Sequence, residues 1–258
     1  MGIDPRKVDN KKGYLPKQAA KAKKIQSRAK AIETRQQAAV EEKAKLLKNI
    51  ETAADLKLSP IKYYVNRLLL LRDLVVDYGG GPVCVPVSFE IQRGERVALR
   101  GRNGSGKSSL LKLICGENIP HSGVYEKGSG LKISYVAQDT SHLRGNLRDY
   151  ARKQDIDESL FKAILRKLDF SREQFDKDIV HFSGGQKKKV LIAASLCQEA
   201  HLYIWDEPMN YVDVLSRMQI EELLLRFTPT LLFVEHDRTF CERIATKTIL
   251  LDSGERIR

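Results

Sequence analysis

Eight residues constrain this chain more than any others. Gly101-Arg102-Asn103-Gly104-Ser105-Gly106-Lys107-Ser108 read G-x-x-x-x-G-K-S. A strand-like run, Arg96–Leu99, precedes them and a helix-like run, Ser109–Ile114, follows. Strand, glycine-rich turn and helix together form the arrangement that wraps phosphate. The glycines let backbone N–H groups come close to phosphate oxygens, and the starting helix presents its positive end. Lys107 is expected to reach the β- and γ-phosphates, and Ser108 to hold Mg²⁺. Strands and helices continue to alternate after the loop, which predicts a mostly parallel α/β core.

Further motifs stand in a fixed order. Gln138 follows a strand-like Ile133–Val136, and Ser183-Gly184-Gly185-Gln186 opens a helix-like run to Cys197. The apolar Leu202-Tyr203-Ile204-Trp205 ends in Asp206-Glu207, and His236 follows the β-branched and aromatic run Thr230–Val234. A lone Gln or His carries no such message; the order does. The array resembles the ATP-binding-cassette (ABC) ATPases over roughly Arg67 to Arg258. The resemblance implies an α/β, ABC-type P-loop NTPase domain. It has a mostly parallel core sheet, an antiparallel β subdomain and a small helical subdomain, here expected within Asn146–Phe175. ATP and Mg²⁺ are the implied cofactors, and ATP hydrolysis the implied activity.

On this sequence the resemblance makes Glu207 the general base, sets Gln138 at the metal or the attacking water, and puts His236 on the γ-phosphate. The metal falls to Ser108, Gln138 and Asp206. Nucleotide contacts fall to Tyr78, whose ring is expected on the adenine, and to Gly101, Arg102, Asn103, Gly104, Ser105, Gly106, Lys107, Ser108 and Ser109. Ser183, Gly185 and Asp213 complete the set, the first two offering a helix N-terminus to nucleotide held by an opposite domain. One such domain carries half of each of two sites. A second ABC domain is therefore the implied partner, and this chain alone is expected to bind ATP but hydrolyse it slowly. His121, His142, His181 and His201 lack comparable context and read as structural.

Charge separates the chain into two parts. Of 45 Lys+Arg and 33 Asp+Glu, residues 1–58 hold 15 and 7, so most of the +12 excess lies ahead of the ATPase body. Lys17 to Asn49 has no Gly or Pro and is rich in strong helix formers. Ile25, Ala29, Ile32, Gln36, Ala39, Lys43, Leu46 and Ile50 step alternately by four and three, mostly apolar, a narrow seam for a partner helix. Lys7, Lys11, Lys12, Lys17, Lys21, Lys23, Lys24, Arg28 and Lys30 gather at one end. Such a cluster is either a solvated helical surface or an RNA-facing tip.

A long charged helix ahead of an ABC domain resembles the ABC-F proteins, which join two ABC domains by paired helices and bind the ribosome. The resemblance makes residues 1–60 the inter-domain linker and 61–258 the second ABC domain, with ribosome, rRNA and tRNA as partners. Trp205-Asp206-Glu207-Pro208-Met209-Asn210-Tyr211 departs from the Thr-Asn-His-Leu-Asp stretch of most members, keeping Asn210 and Asp213. That variant is similar to the antibiotic-resistance branch. The alternatives are the nucleotide-binding subunit of a membrane transporter, or an RNA-binding scaffold gated by ATP. The 45 positions from Gln138 to Ser183 are few by the standard of transporter ATPases. No apolar run approaches ~18 residues and the N-terminus is polar, so a cytoplasmic location is expected. Cys84, Cys115, Cys197 and Cys241 are scattered and read as reduced.

Ahead of the phosphate loop, five short strands are expected: Leu68–Leu71, Leu74–Tyr78, Val83–Val85, Val87–Ile91 and Arg96–Leu99. Gly79–Gly81 reads as a turn.

Overall fold

The computed structural model describes residues 60–251; the expected linker helix, its seam and its basic cluster lie outside the described residues. The strands are β1 (Arg67–Val76), β2 (Val87–Gln92), β3 (Arg96–Arg100), β4 (His121–Lys127), β5 (Ile133–Val136), β6 (Leu202–Asp206), β7 (Leu231–Val234) and β8 (Lys247–Leu250). The helices are α1 (Lys107–Cys115), α2 (Leu147–Lys153), α3 (Glu158–Lys167), α4 (Arg172–Phe175), α5 (Gly184–Cys197), α6 (Val214–Phe227) and α7 (Arg238–Ile244).

One sheet has the order β5-β6-β7-β3-β8, and every neighbouring pair in it is parallel. Its central strands are apolar on both faces, as a sheet covered on both sides requires. Leu202, Ile204, Leu232, Val234, Val97 and Leu99 join a core with α1 and the second sheet. Tyr203, Trp205, Leu231, Phe233 and Ala98 alternate with them and join the core built on α5, α6, α7 and the small helices α2 and α3. Those small helices lie where the helical subdomain is expected. Asn146 and Asp157 cap α2 and α3 by accepting from Asp149 N and Leu160 N, and Phe161, Ile164 and Leu165 are buried.

The second sheet is antiparallel, in the order β2-β1-β4. Two of the expected strands, Leu68–Leu71 and Leu74–Tyr78, are in fact one. β1 runs on through a bulge, and its register shifts between Leu71 and Leu74 against β2 and between Arg72 and Val75 against β4. The extra residue is absorbed at Asp73, whose φ is 50°. The Asp73 backbone N–H donates to Ser88 Oγ, and that hydroxyl donates back to Asp73 Oδ1. The bulge resets the alternation, so that Leu69 and Leu71 and then Leu74 and Val76 all face inward. Opposite it, only Gly123 fits, because a Cβ there would lie 2.3 Å from Asp73 O. Val83–Val85 is not a strand. The chain between Asp77 and Val87 makes one isolated bridge, Asp77 to Pro82, and Pro82 and Pro86 supply no N–H to extend it. Asp77 Oδ1 accepts from Gly79 N and Gly81 N, forming the expected turn.

The chain entering the domain is fastened at the foot of β6. Ile61 N donates to Ala200 O, Tyr63 packs edge-on against His201, and Tyr63 OH donates to Ser129 O.

Candidate nucleotide site

Parallel strands bring their carboxyl ends to one edge of the sheet, which is where open α/β sheets bind ligands. β3 ends at the phosphate loop, β5 runs into Gln138, β6 ends at Asp206-Glu207, and β7 runs into Glu235-His236. Motifs scattered over 136 positions thereby meet at one edge.

The phosphate loop turns on Gly104 and Gly106, with φ of 82° and 86°. Gly106 is forced twice over, since a Cβ there would meet Cys84 Cβ at 2.8 Å and Val83 O at 2.9 Å. Lys107 is buried, and its Nζ donates to Gly101 O (2.9 Å) and Arg102 O (2.7 Å) across the mouth of the loop. Ser108 and Ser109 continue into the first turn of α1 and are half-buried. Arg102, Asn103, Gly104 and Ser105 form one wall of an open cleft of roughly 660 Å³; Val75, the Pro82–Pro86 segment and Leu251 form the rest. Tyr78 is exposed and lies outside that wall.

Of the residues expected at the metal, Asp206 and Ser108 fit a magnesium ion. Asp206 is 2% exposed, and its Oδ1 has no hydrogen-bond partner; Ser105 Oγ is in the same condition. Burial pushes the Asp206 carboxyl above the ordinary carboxylate range. A hydrogen bond from Ser108 opposes that shift, the charge of Glu207 adds to it, and Lys188 and Lys107 counter it. A buried, orphaned carboxylate oxygen beside a serine hydroxyl is a donor set that a hard cation completes.

Glu207 is the hub of the cluster. Its Oε2 accepts from Gln138 Nε2 (2.8 Å) and Asn210 Nδ2 (2.7 Å), and its Oε1 lies 3.3 Å from His236 Nε2. The structure thus joins Gln138, Glu207 and His236 directly, and Gln138 turns to Glu207 here. Glu207 has a φ of 49°, a left-handed backbone conformation uncommon for a glutamate, just past the end of β6.

Ser183 caps α5 reciprocally, accepting from Gln186 N while Gln186 Oε1 accepts from Ser183 N. Gly185 is dictated by the loop after Glu207: a Cβ at 185 would lie 2.1 Å from Tyr211 O, a backbone atom. At Gly184 the nearest such contact is 3.6 Å, to the Tyr211 ring. Gly185→Ala is therefore expected to cost about 1–3 kcal/mol and Gly184→Ala far less, as thermal unfolding of the two variants will show. Equal loss at both positions would contradict the contact. Asp213 caps α6 through Ser216 N and pairs with Lys189 Nζ at 2.6 Å. Burial raises its pKa, but Lys189 and Ser216 outweigh that and hold it below the usual range.

Three groups near this edge are not singled out by sequence motifs. Lys188, 3% exposed, donates from Nζ to Ala137 O (2.9 Å) and Asp206 O (3.4 Å), tying α5 to the segments that carry Gln138 and Asp206. Burial lowers its pKa, against the pull of Asp206, Glu207, Glu235 and Asp139. Glu235 and Arg217 bridge the loop after Glu207 to the segment around His236. The readable signal for Lys188 is a lysine on the α5 face that also carries Ile192 and Ser195, both buried.

Comparison with known proteins agrees with the geometry. Residues 84–210 match the family model described as ABC transporter. The chain is 33% identical over 241 residues to the putative ATP-binding protein YdiF of Bacillus subtilis, covering 92% of this chain and 37% of that protein. It is 31% identical over 195 residues to the ribosome protection protein VmlR of the same organism, covering 73% and 35%. It thus spans little more than a third of the length of these relatives. A solved ATP-binding subunit of an ABC transporter superposes with a TM-score of 0.62 at 26% identity, over 73% of this chain and 88% of that one. Sheet order, phosphate loop, carboxylate pair and these likenesses converge: the chain carries an ATP-binding ABC domain with the ABC ATPase fold.

Proposed function

We propose that the chain is the second ABC domain of an ABC-F protein, residues 61–258, with its basic linker, residues 1–60, and that it hydrolyses ATP while acting on the ribosome. The observation that carries this reading is the reach of one likeness. The match to YdiF extends over 241 residues, more than residues 61–258 can supply, and so runs into the basic arm. The arm's lysines and arginines suit contact with RNA phosphates. The relative named as a ribosome protection protein, together with the Trp205–Tyr211 variant, favours a protective role against ribosome-targeting antibiotics. Among the described residues, no helix is long and apolar enough to cross a membrane.

In this reading Glu207 takes the proton of the attacking water, Gln138 and Asn210 hold the Glu207 carboxylate in place, and His236 donates toward the γ-phosphate. Ser108, Gln138 and Asp206 would hold Mg²⁺, which when bound neutralises charge on the phosphates. Lys107 exchanges its loop carbonyls for phosphate oxygens. Ser183 and Gly185 serve nucleotide held by a second domain, so turnover depends on pairing.

The test is ribosome co-sedimentation of the Glu207→Gln protein with MgATP. Retention that requires ATP supports the reading. Retention indifferent to nucleotide favours an RNA-binding scaffold, and an integral membrane partner without ribosome signal favours a transporter subunit.

A further inference from the structure

The residue between the end of β7 and His236 is a buried glutamate, Glu235, 5% exposed. Its carboxylate accepts three backbone N–H groups. Oε1 takes those of His236 (2.7 Å) and Asp237 (3.3 Å), and Oε2 takes that of Met209 (3.0 Å), two residues past Glu207. Arg217 closes the same gap from α6. Its guanidinium donates to Met209 O (3.0 Å), Val212 O (3.0 Å) and Asp237 Oδ2 (2.8 Å). One anion and one cation thus clasp the loop 209–212 to the segment 235–237, and Glu207 N donates to Val234 O between them.

We propose that Glu235 is a positioning residue for hydrolysis: its carboxylate locks the loop after Glu207 to the backbone of His236 and so sets the 3.3 Å approach of His236 to Glu207. The proposal rests on the reading of Glu207 and His236 as the hydrolytic pair. A carboxylate group accepts hydrogen bonds at both of its oxygens. An amide has one acceptor and one donor, so Gln at 235 must turn its NH₂ toward either Met209 N–H or the N–H groups of His236 and Asp237. The clasp touches neither the phosphate loop nor Asp206 Oδ1. Its loss is therefore expected to spare nucleotide binding and to displace the reacting groups, and displacements of about 1 Å cost up to ~10²-fold in rate.

The experiment uses the full chain and measures two quantities on the same samples: affinity for fluorescent MgATP, and single-turnover hydrolysis with protein in excess. Glu235→Gln is expected to bind within about twofold of the parent and to hydrolyse about 10- to 100-fold more slowly. Combined with Glu207→Gln it should slow hydrolysis no further, since residues acting as a unit are not additive. Amide exchange at Met209 and His236 should quicken. Arg217→Met, at a half-exposed position, opens the clasp from the other side and should show the same loss of rate at preserved affinity, which keeps the test decisive if Glu235→Gln does not fold. Hydrolysis at the parent rate in either folded variant overturns the proposal. So does a fall in affinity and rate together in step with a lowered unfolding temperature, which marks a merely structural role. A parent chain that neither binds nor hydrolyses MgATP overturns the hydrolytic reading itself, whereas an active parent with unchanged variants overturns the clasp alone.

Discussion

Glu207→Gln is expected to slow ATP hydrolysis by about 10²–10⁴-fold, the usual contribution of a positioned general base, while leaving MgATP binding and the fold intact. The hydrogen bonds of Glu207 explain why the two effects separate. Gln138 Nε2 and Asn210 Nδ2 both donate to Oε2, and a glutamine can keep its oxygen there. Its NH₂ then faces His236 Nε2, which can accept as the neutral ring. Nothing loses a partner, so stability changes little, but the side chain can no longer take a proton from water. Equilibrium binding and single-turnover hydrolysis on one preparation check this. Hydrolysis within threefold of the parent would place the base elsewhere, and lost binding would show that Glu207 shapes the nucleotide pocket itself.

Asp206→Asn is expected to stabilise the nucleotide-free domain while removing its response to magnesium. Burial raises the folded pKa of this carboxyl above its unfolded value. Such a group favours folding fully below its unfolded pKa, and that contribution is lost as pH rises through the folded pKa. Near neutral pH the ionised, partly unpaired carboxylate is therefore a cost to the apo domain. The amide still leaves a polar atom unpaired there, so the gain comes from removing the buried charge, and it should raise the unfolding temperature in EDTA. The gain should shrink as pH falls toward the ordinary carboxylate range, where the aspartic acid is protonated. With MgATP the order reverses, since only the parent gains the added stability of a bound cation. Thermal unfolding at several pH values, with EDTA and with MgATP, reads both halves. A variant less stable than the parent at pH 7 in EDTA would refute the argument.

The parts of this molecule that could be read from the sequence are those written in consecutive residues. Arg96–Leu99, Ile133–Val136 and Leu202–Trp205 announce strands by short runs rich in apolar residues, and each is a strand in the structure. The phosphate loop and Asp206-Glu207 follow such runs directly, so the sequence alone places both at strand ends. Arg72-Asp73 looks in the sequence like a turn between two strands, whereas the bulge in β1 is made by partners 15 and 50 positions away, Ser88 and Gly123. β4 leaves no such mark: His121–Lys127 lies at the edge of its sheet with six of its seven residues exposed, so it carries no apolar alternation. Glu235, Lys188 and Arg217 are silent in the sequence for a related reason. Their meaning lies in main-chain groups of other segments, and a charged residue within a buried element is the only trace they leave in the sequence.

The attachment at the foot of β6 has a mechanical consequence. Traction on the chain ahead of Pro60 would arrive at Ala200 and His201, through the Ile61 hydrogen bond and the Tyr63 ring. From there a fully buried strand of five residues runs straight to Asp206, a rod of roughly 17 Å at ~3.3 Å per residue. No loop lies along that rod to absorb slack, so a tug at one end would be felt by the carboxylates at the other.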